Sequence, residues 1–420
     1  MKTTIDRESG AGTRSNGSGQ SAHHPAMEEL KLHRPSLKDW LELRTGWWGF
    51  VRKNLDEPMP PGVGWWQTLG NLILTFLVFQ FVTGLALAMY YTPTPDHAYQ
   101  SVKYISDTVT LGSVIRGIHH WGATLIIIAV VLHILRVFFW GAYKKPREVT
   151  WVIGVLIFQV MLGFSFTGYL LPWDQKAYWA TVVGTRIINT IPFVGDSTMT
   201  LVRGGHEVGA LTLTRFYAVH IMALPAALMA LTMMHLYLVR RLHISGPVVA
   251  QKGKPVPFYP TQLFRDAVVV LVGIGILFGL AIFMKPELMA VADPARADFT
   301  PRPEWYFLGL YELLKLMPPS LEVVGTLVIP GLVTTGMLLL PWLDRSDSRH
   351  PARRRWIIDL GIALILIIGV LTLKGILSEP PPTPHEAHGA GAAIASAQPH
   401  TAHSDEGRLQ IRRVNVGKAP

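Results

Sequence analysis

Two stretches decide the fold: RGIHHWGATLIIIAVVLHILRVF (116–138) and TRFYAVHIMALPAALMALTMMHLYLVRR (214–241). The first carries His119 and His133, the second His220 and His235, each pair inside apolar sequence. Both stretches are long enough to cross a bilayer as helices, at ~1.5 Å rise per residue and ~20 residues per crossing. An imidazole at membrane depth is costly unless something coordinates or pairs it, so each histidine is a candidate functional residue. A spacing of 14 places His119 and His133 on almost the same helix face, ~21 Å apart along the axis. A spacing of 15 places His220 and His235 ~22 Å apart and about one residue's rotation further round.

Around these stretches the composition is that of an integral membrane protein. Half of the 420 residues are hydrophobic, 16% are charged and the mean hydropathy is +0.31. Seven spans are expected, at about 67–91, 117–140, 150–172, 214–240, 266–287, 322–343 and 356–377. Basic residues gather in alternate connections: Lys144, Lys145 and Arg147 after the second span, Arg240, Arg241, Lys252, Lys254 and Arg265 around the fourth connection, and Arg345, Arg349, Arg353, Arg354 and Arg355 before the seventh span. The segment before the first span adds Arg44, Arg52 and Lys53. By the positive-inside rule the N-terminus is cytoplasmic and the C-terminus outside. The net charge of +10 then sits on the membrane's cytoplasmic face, which argues against nucleic-acid binding.

With that orientation the second and fourth spans run the same way. His119 and His220 meet near the outer face, and His133 and His235 near the inner face. One imidazole from each span at each level suits an iron porphyrin held from both axial sides, an electron-transfer site rather than an oxygen-binding one. The fold expected is therefore all-α, a four-helix dihaem bundle followed by three further transmembrane helices. Two stacked haems would make an electron wire across the membrane. With no cysteine in the chain, covalent c-type haem and cysteine-ligated iron–sulfur centres are excluded from it.

Gly70 and Gly84 in the first span and Gly154 and Gly168 in the third repeat the same 14-residue period. They suit the close approach of a flat macrocycle, although small-residue helix packing is the ordinary alternative. Arg116 and Arg136 flank the histidines by three residues and suit haem propionates, against the plainer reading of interfacial snorkelling. His120, His97, His206 and His243 read as packing or loop histidines. Residues 1–45 read as a polar, disordered N-terminus, and 379–420 as a disordered His/Ala/Pro-rich tail. The tail's His385, His388, His400 and His403 form a compositional metal-binding candidate only.

The connection at about 173–213 begins LPWDQKAYWATVVGTRII, which suggests an amphipathic helix on the outer surface. In PRPEWYFLGLYELLKLMP, Glu304 stands among Pro303, Trp305, Tyr306 and Phe307. Apolar surroundings favour a carboxylate's protonated form, which suits proton exchange beside a flat ring substrate. A solvated loop glutamate is the plainer reading. At the inner side Arg240, Ser245, Arg265 and Asp266 form a candidate quinone site, with Asp266 just inside a span.

HHWGATLIIIAVVLHILRVF, KKPREVTWVIGV, TGYLLPWDQKAYWA, LTRFYAVH, HISGP and PEWYF together resemble the cytochrome b subunit of quinol-oxidising cytochrome bc complexes, over about residues 46–378. Residues 46–250 look like the b6 type and 251–378 like its subunit IV, fused into one chain with no eighth helix. The resemblance implies two non-covalent b-type haems, the outer on His119 and His220 and the inner on His133 and His235. It implies that Glu304 takes a proton from quinol, with Tyr306 and the surface helix after Trp173 lining that site. Arg265 and Asp266 fall at the place of a Lys–Asp pair, and Arg240 at the place of a quinone-site histidine. Thr68 replaces the b6-type cysteine, so no covalent haem is implied. A Rieske iron–sulfur protein, a c-type cytochrome, membrane lipid and a second copy of the complex are the implied partners, in a bacterial inner membrane. Two other classes remain in view: a dihaem membrane anchor of a dehydrogenase, and a proton-coupled transporter whose histidines relay protons.

Overall fold

The computed structural model describes residues 36–249, 251–295, 299 and 302–378. The tail and its four histidines lie outside them. The chain divides into two compact units at Leu55/Asp56.

In the first unit, α1 (Leu37–Thr45) and α2 (Trp47–Leu55) form a helical pair. Residues 37–45, within the stretch read from the sequence as a polar N-terminus, are helical here. The reason is local. Ser36 and Asp39 make a reciprocal capping box, and Gly46 ends α1 in the left-handed region at φ 61°. Glu42 then accepts from the backbone of Trp48 and Gly49 at 2.6 and 2.9 Å, closing the turn.

Among the described residues the second unit carries seven helices long and apolar enough to cross a membrane. The first three are α3 (Leu69–Ala88), α5 (Gly112–Phe139) and α6 (Glu148–Tyr169), with the short α4 (Ala98–Asp107) between the first two. Next come α7 (Gln175–Asn189) and α8 (Gly195–Arg203), which are too short to span. The fourth span is composite: α9 (Ala210–Ala218), a π-helical segment Val219–Ala223, and α10 (Leu224–Leu242). The fifth is α11 (Thr261–Phe283). After the short α12 (Trp305–Lys315), a π-helical segment Val324–Val328 leads into α13 (Ile329–Leu343), and α14 (Arg355–Leu377) is last. Seven expected spans are seven found, with ends moved by a few residues. Strands β1 (Pro58–Met59) and β2 (Val256–Pro257) pair antiparallel.

Both π segments have the same cause. Pro225 and Pro330 stand two residues after them, and a proline offers no N–H to the carbonyl one turn back. The helix widens to recover its bonds, and such bulges concentrate at functional sites.

α3 packs along α5 and α6 along α10, α11 lies against α5 and α3, and α12 packs along α14. Phe76, Leu77, Ile118, Ile127, Val130, Met161 and Leu228 form the apolar core, which Leu277 and Ala281 of α11 complete. The α3–α5 and α6–α10 pairs together are the expected four-helix bundle, with α11, α13 and α14 as the three further spans.

Candidate functional site

His119 from α5 and His220 from the π segment face each other with ring centroids 6.3 Å apart and planes at 70°. A metal–imidazole bond of about 2 Å on each side of one ion places two ring centroids roughly 6 Å apart. The pair therefore has the span of a bis-histidine iron site.

The hydrogen bonds also set the tautomer. Thr83 Oγ1 donates its single proton to the Phe79 carbonyl at 2.6 Å and lies 3.0 Å from His119 Nδ1. Thr167 Oγ1 donates to the Gly163 carbonyl at 2.9 Å and lies 3.1 Å from His220 Nδ1. Each hydroxyl has spent its proton on the helix, so toward the ring it accepts, and Nδ1 carries hydrogen. Nε2 is then the lone-pair nitrogen on both rings, which is the arrangement a metal requires. The b-type haem expected from the sequence fits these donors.

At the other level His133 lies within electrostatic reach of His235. The threonine beside His235 is Thr150, which meets the ring through its backbone rather than its hydroxyl. His235 Nδ1 is buried and lacks a well-formed hydrogen bond. The 15-residue gap between His220 and His235 is reconciled by the π segment. One extra residue is absorbed in that turn, so the two rings fall on one face as the 14-residue pair does.

Three of the four glycines turn out to face histidine rings. A Cβ on Gly168 would stand 2.6 Å from His220 Cε1, on Gly84 3.2 Å from His119 Cε1, and on Gly154 3.4 Å from His235 Cε1. Gly70 meets nothing within 4 Å. Gly168→Ala is therefore expected to displace the His220 ring and broaden or shift its haem band, while Gly70→Ala leaves the absorption spectrum unchanged. Equal spectra from both variants would refute the distinction.

Arg116 and Arg136 already hold backbone. Arg116 donates to the carbonyls of Pro286 and Glu287 and to Ser106 Oγ, tying α5 to the chain beyond α11. Arg136 donates to the Ser245 carbonyl at 3.1 Å and lies over the Trp140 ring, but its Nε remains buried without a partner. A further acceptor such as a propionate suits that nitrogen.

Glu304 caps the start of α12, and its Oε1 lies 2.9 Å from Lys176 Nζ in the first turn of α7. The PWDQ motif is stitched alongside. Asp174 accepts from Ala177 N and Met289 N, while Gln175 N and Ala292 N bond to the carbonyls of Ala290 and Trp173. Tyr306 packs against the core cluster, and burial, then the charge of Glu304, push its phenol up. Two buried polar atoms here have no partner, Tyr169 OH and Trp305 Nε1.

The four residues expected at the inner quinone site fall into two groups. Asp266 is buried and accepts from Asn71 Nδ2 at 2.6 Å and Gln262 Nε2 at 3.2 Å, and Arg265 reaches Val63 O and Gln262 Oε1. Ser245 is buried and instead accepts at Oγ from Arg349 at 2.7 Å. Arg240 is exposed. No hydrogen bond joins the two groups among the described residues.

Sequence reading missed Thr83, Thr167 and Lys176. A signal for the threonines was present: both glycines at the His119 level are preceded by threonine, Thr83-Gly84 and Thr167-Gly168, whereas Gly70 and Gly154 follow Leu69 and Ile153.

Known proteins match this arrangement. The family profile described as Cytochrome b/b6/petB covers residues 54–243, and that described as Cytochrome b(C-terminal)/b6/petD covers 291–395. The chain is 36% identical over 335 residues to the cytochrome b of Rickettsia conorii, covering 77% of this chain and 82% of that protein. It is 46% identical over 220 residues to the menaquinol:cytochrome c reductase cytochrome b subunit of Geobacillus thermodenitrificans, covering 50% of this chain and 98% of that one. Among solved structures a chain of a hyperthermophilic respiratory Complex III superposes with a TM-score of 0.75 at 30% identity, covering 85% of this chain and 95% of that one. With both halves matched in order along a single polypeptide, the chain belongs to the cytochrome b/b6 family.

Proposed function

We infer that the chain is the cytochrome b subunit of a quinol–cytochrome c reductase, the catalytic membrane subunit of a bc-type oxidoreductase. The observation that carries this is the His119–His220 pair, 6.3 Å apart, with each Nδ1 held by a threonine, in a chain whose relatives include a menaquinol:cytochrome c reductase subunit. The relatives reported above are cytochrome b proteins, which favours this reading over the dehydrogenase anchor and the transporter.

His119 with His220, and His133 with His235, would each hold one non-covalent b haem. Those groups supply one-electron carriage between the two ends of the bundle. The basic residues Lys144, Lys145, Arg147, Arg349 and Arg353–Arg355 all belong to the His133 end, so that end is assigned to the cytoplasm of a bacterial inner membrane, with the N-terminus inside and the C-terminus outside. A Rieske iron–sulfur protein and a c-type cytochrome would receive electrons on the opposite side, and the complex would pair as a homodimer.

At the outer end quinol oxidation releases two electrons and two protons. Glu304 stands where a carboxylate can take one proton, with Tyr306 and α7 as walls. At the inner end Asp266 and Arg265, held by Asn71 and Gln262, and Arg240 and Ser245 offer donors to a quinone being reduced. Glu304→Gln in the assembled complex is expected to slow quinol-driven haem reduction by about 100-fold, the usual scale for losing a positioned general base. Wild-type rates in that variant would remove Glu304 from the mechanism.

A further inference from the structure

Lys176 is a residue that no part of the proposed chemistry uses, yet among the described residues it is the ion-pair partner of Glu304. Its ammonium lies 2.9 Å from Oε1 and 5.6 Å from the centre of the Tyr169 ring. The lysine side chain is 35% exposed and the glutamate 22%, so the pair sits where the site opens rather than deep in the protein. Its position is fixed from both sides. Asp174 and Gln175 pin the start of α7 to residues 289–290, and the Glu304 carbonyl accepts from Phe307 N in the first turn of α12.

We propose that Lys176 is a positioning residue for quinol oxidation: it tethers the Glu304 carboxylate to α7 between turnovers, and releases it when Glu304 takes a proton. The inference rests on Glu304 being the proton acceptor. The physical argument is the change of charge in the step. As the quinol O–H bond breaks and an Oε–H bond forms, the carboxylate becomes neutral and the attraction holding it to the ammonium disappears. Lys176 keeps its own proton throughout. The freed carboxylic acid then passes its proton to water at the exposed edge, and the returning negative charge restores the pair. Other groups face Glu304 from the neighbouring elements: His120 of α5, with Arg116 behind it, Tyr169 of α6, with Asp174 behind it, and Tyr306 of α12. Lys176 is the opposite charge in direct contact with it.

The test measures quinol oxidation in the assembled complex, normalised to b-haem content, for wild type, Lys176→Gln, Lys176→Arg and Glu304→Gln. Lys176→Gln removes the ammonium that tethers the carboxylate and is expected to slow oxidation about 10-fold, while Lys176→Arg keeps the charge and restores the wild-type rate. A wild-type rate in Lys176→Gln, or an equal loss in Lys176→Arg, beside a slow Glu304→Gln overturns the role of Lys176 alone. A Glu304→Gln enzyme running at the wild-type rate overturns the proton-acceptor reading and this inference with it.

Discussion

Replacing His220 by leucine is expected to lower the b-haem content from two per chain to one, read by the pyridine haemochrome assay on the purified complex. Leucine offers no lone pair, and His119 alone supplies a single axial ligand to an iron built for two. The same loss is expected from His119→Leu, and the double variant should lose no more than either single one if the two rings, 6.3 Å apart, serve one iron as proposed. His133→Leu and His235→Leu should remove the other haem, and all four together should leave a colourless chain. Thr167→Val gives a graded result. It removes the acceptor that fixes the His220 tautomer while leaving Nε2 in place, so haem affinity should fall about 10- to 100-fold without vanishing. Two haems retained in His220→Leu would refute the bis-histidine assignment.

Much of this site is legible in the sequence because membrane depth makes polar residues conspicuous. Four histidines in apolar helices, spaced by whole turns, have few structural alternatives, and the glycine period repeats their spacing. The seven spans follow from hydropathy alone. What the sequence hides has definite physical causes. The 15-residue gap from His220 to His235 reads as a misaligned face until the π segment is seen, although Pro225 marks the place where the helix must widen. Thr83 and Thr167 look like ordinary helix residues, since a threonine bonding back to its own helix is common. Their ring contacts depend on which neighbouring helix arrives. Lys176 and Glu304 are 128 residues apart, and no local pattern announces that pair. Asp266 shows the same limit in reverse. It was grouped by sequence nearness with Ser245, whereas its partner Asn71 lies 195 positions away.

The largest stability effect is expected at a different buried charge, where Arg354 enters α14. Arg354 and Asp344 side chains are both 0% exposed. The guanidinium donates to Tyr143 OH at 2.7 Å, to Asp344 Oδ2 at 3.2 Å, and to the carbonyls of Phe138 and Phe139 at 3.1 and 2.9 Å. It thereby satisfies the end of α5 and anchors α14 to it with one side chain. Arg354→Met keeps much of the volume but takes the guanidinium from two helix-end carbonyls and leaves Asp344 with Lys144, Tyr143 and the backbone of Ser346. Removing one partner of a buried pair costs about 3–5 kcal/mol. The temperature at which haem absorbance is lost on heating should fall accordingly, by at least several degrees. The pH dependence has a definite sign. Burial by itself would raise the Asp344 carboxyl, but hydrogen bonds from Tyr143, Lys144 and Arg354 outweigh it and hold the group below its ordinary range. A carboxyl depressed in the folded state adds stability above its unfolded value of about 3.9, and loses it as pH falls through the folded value. The gap between wild type and Arg354→Met should thus be full at neutral pH and shrink only below about pH 4. A variant as heat-resistant as wild type at neutral pH would mean that α14 is held by its apolar packing alone.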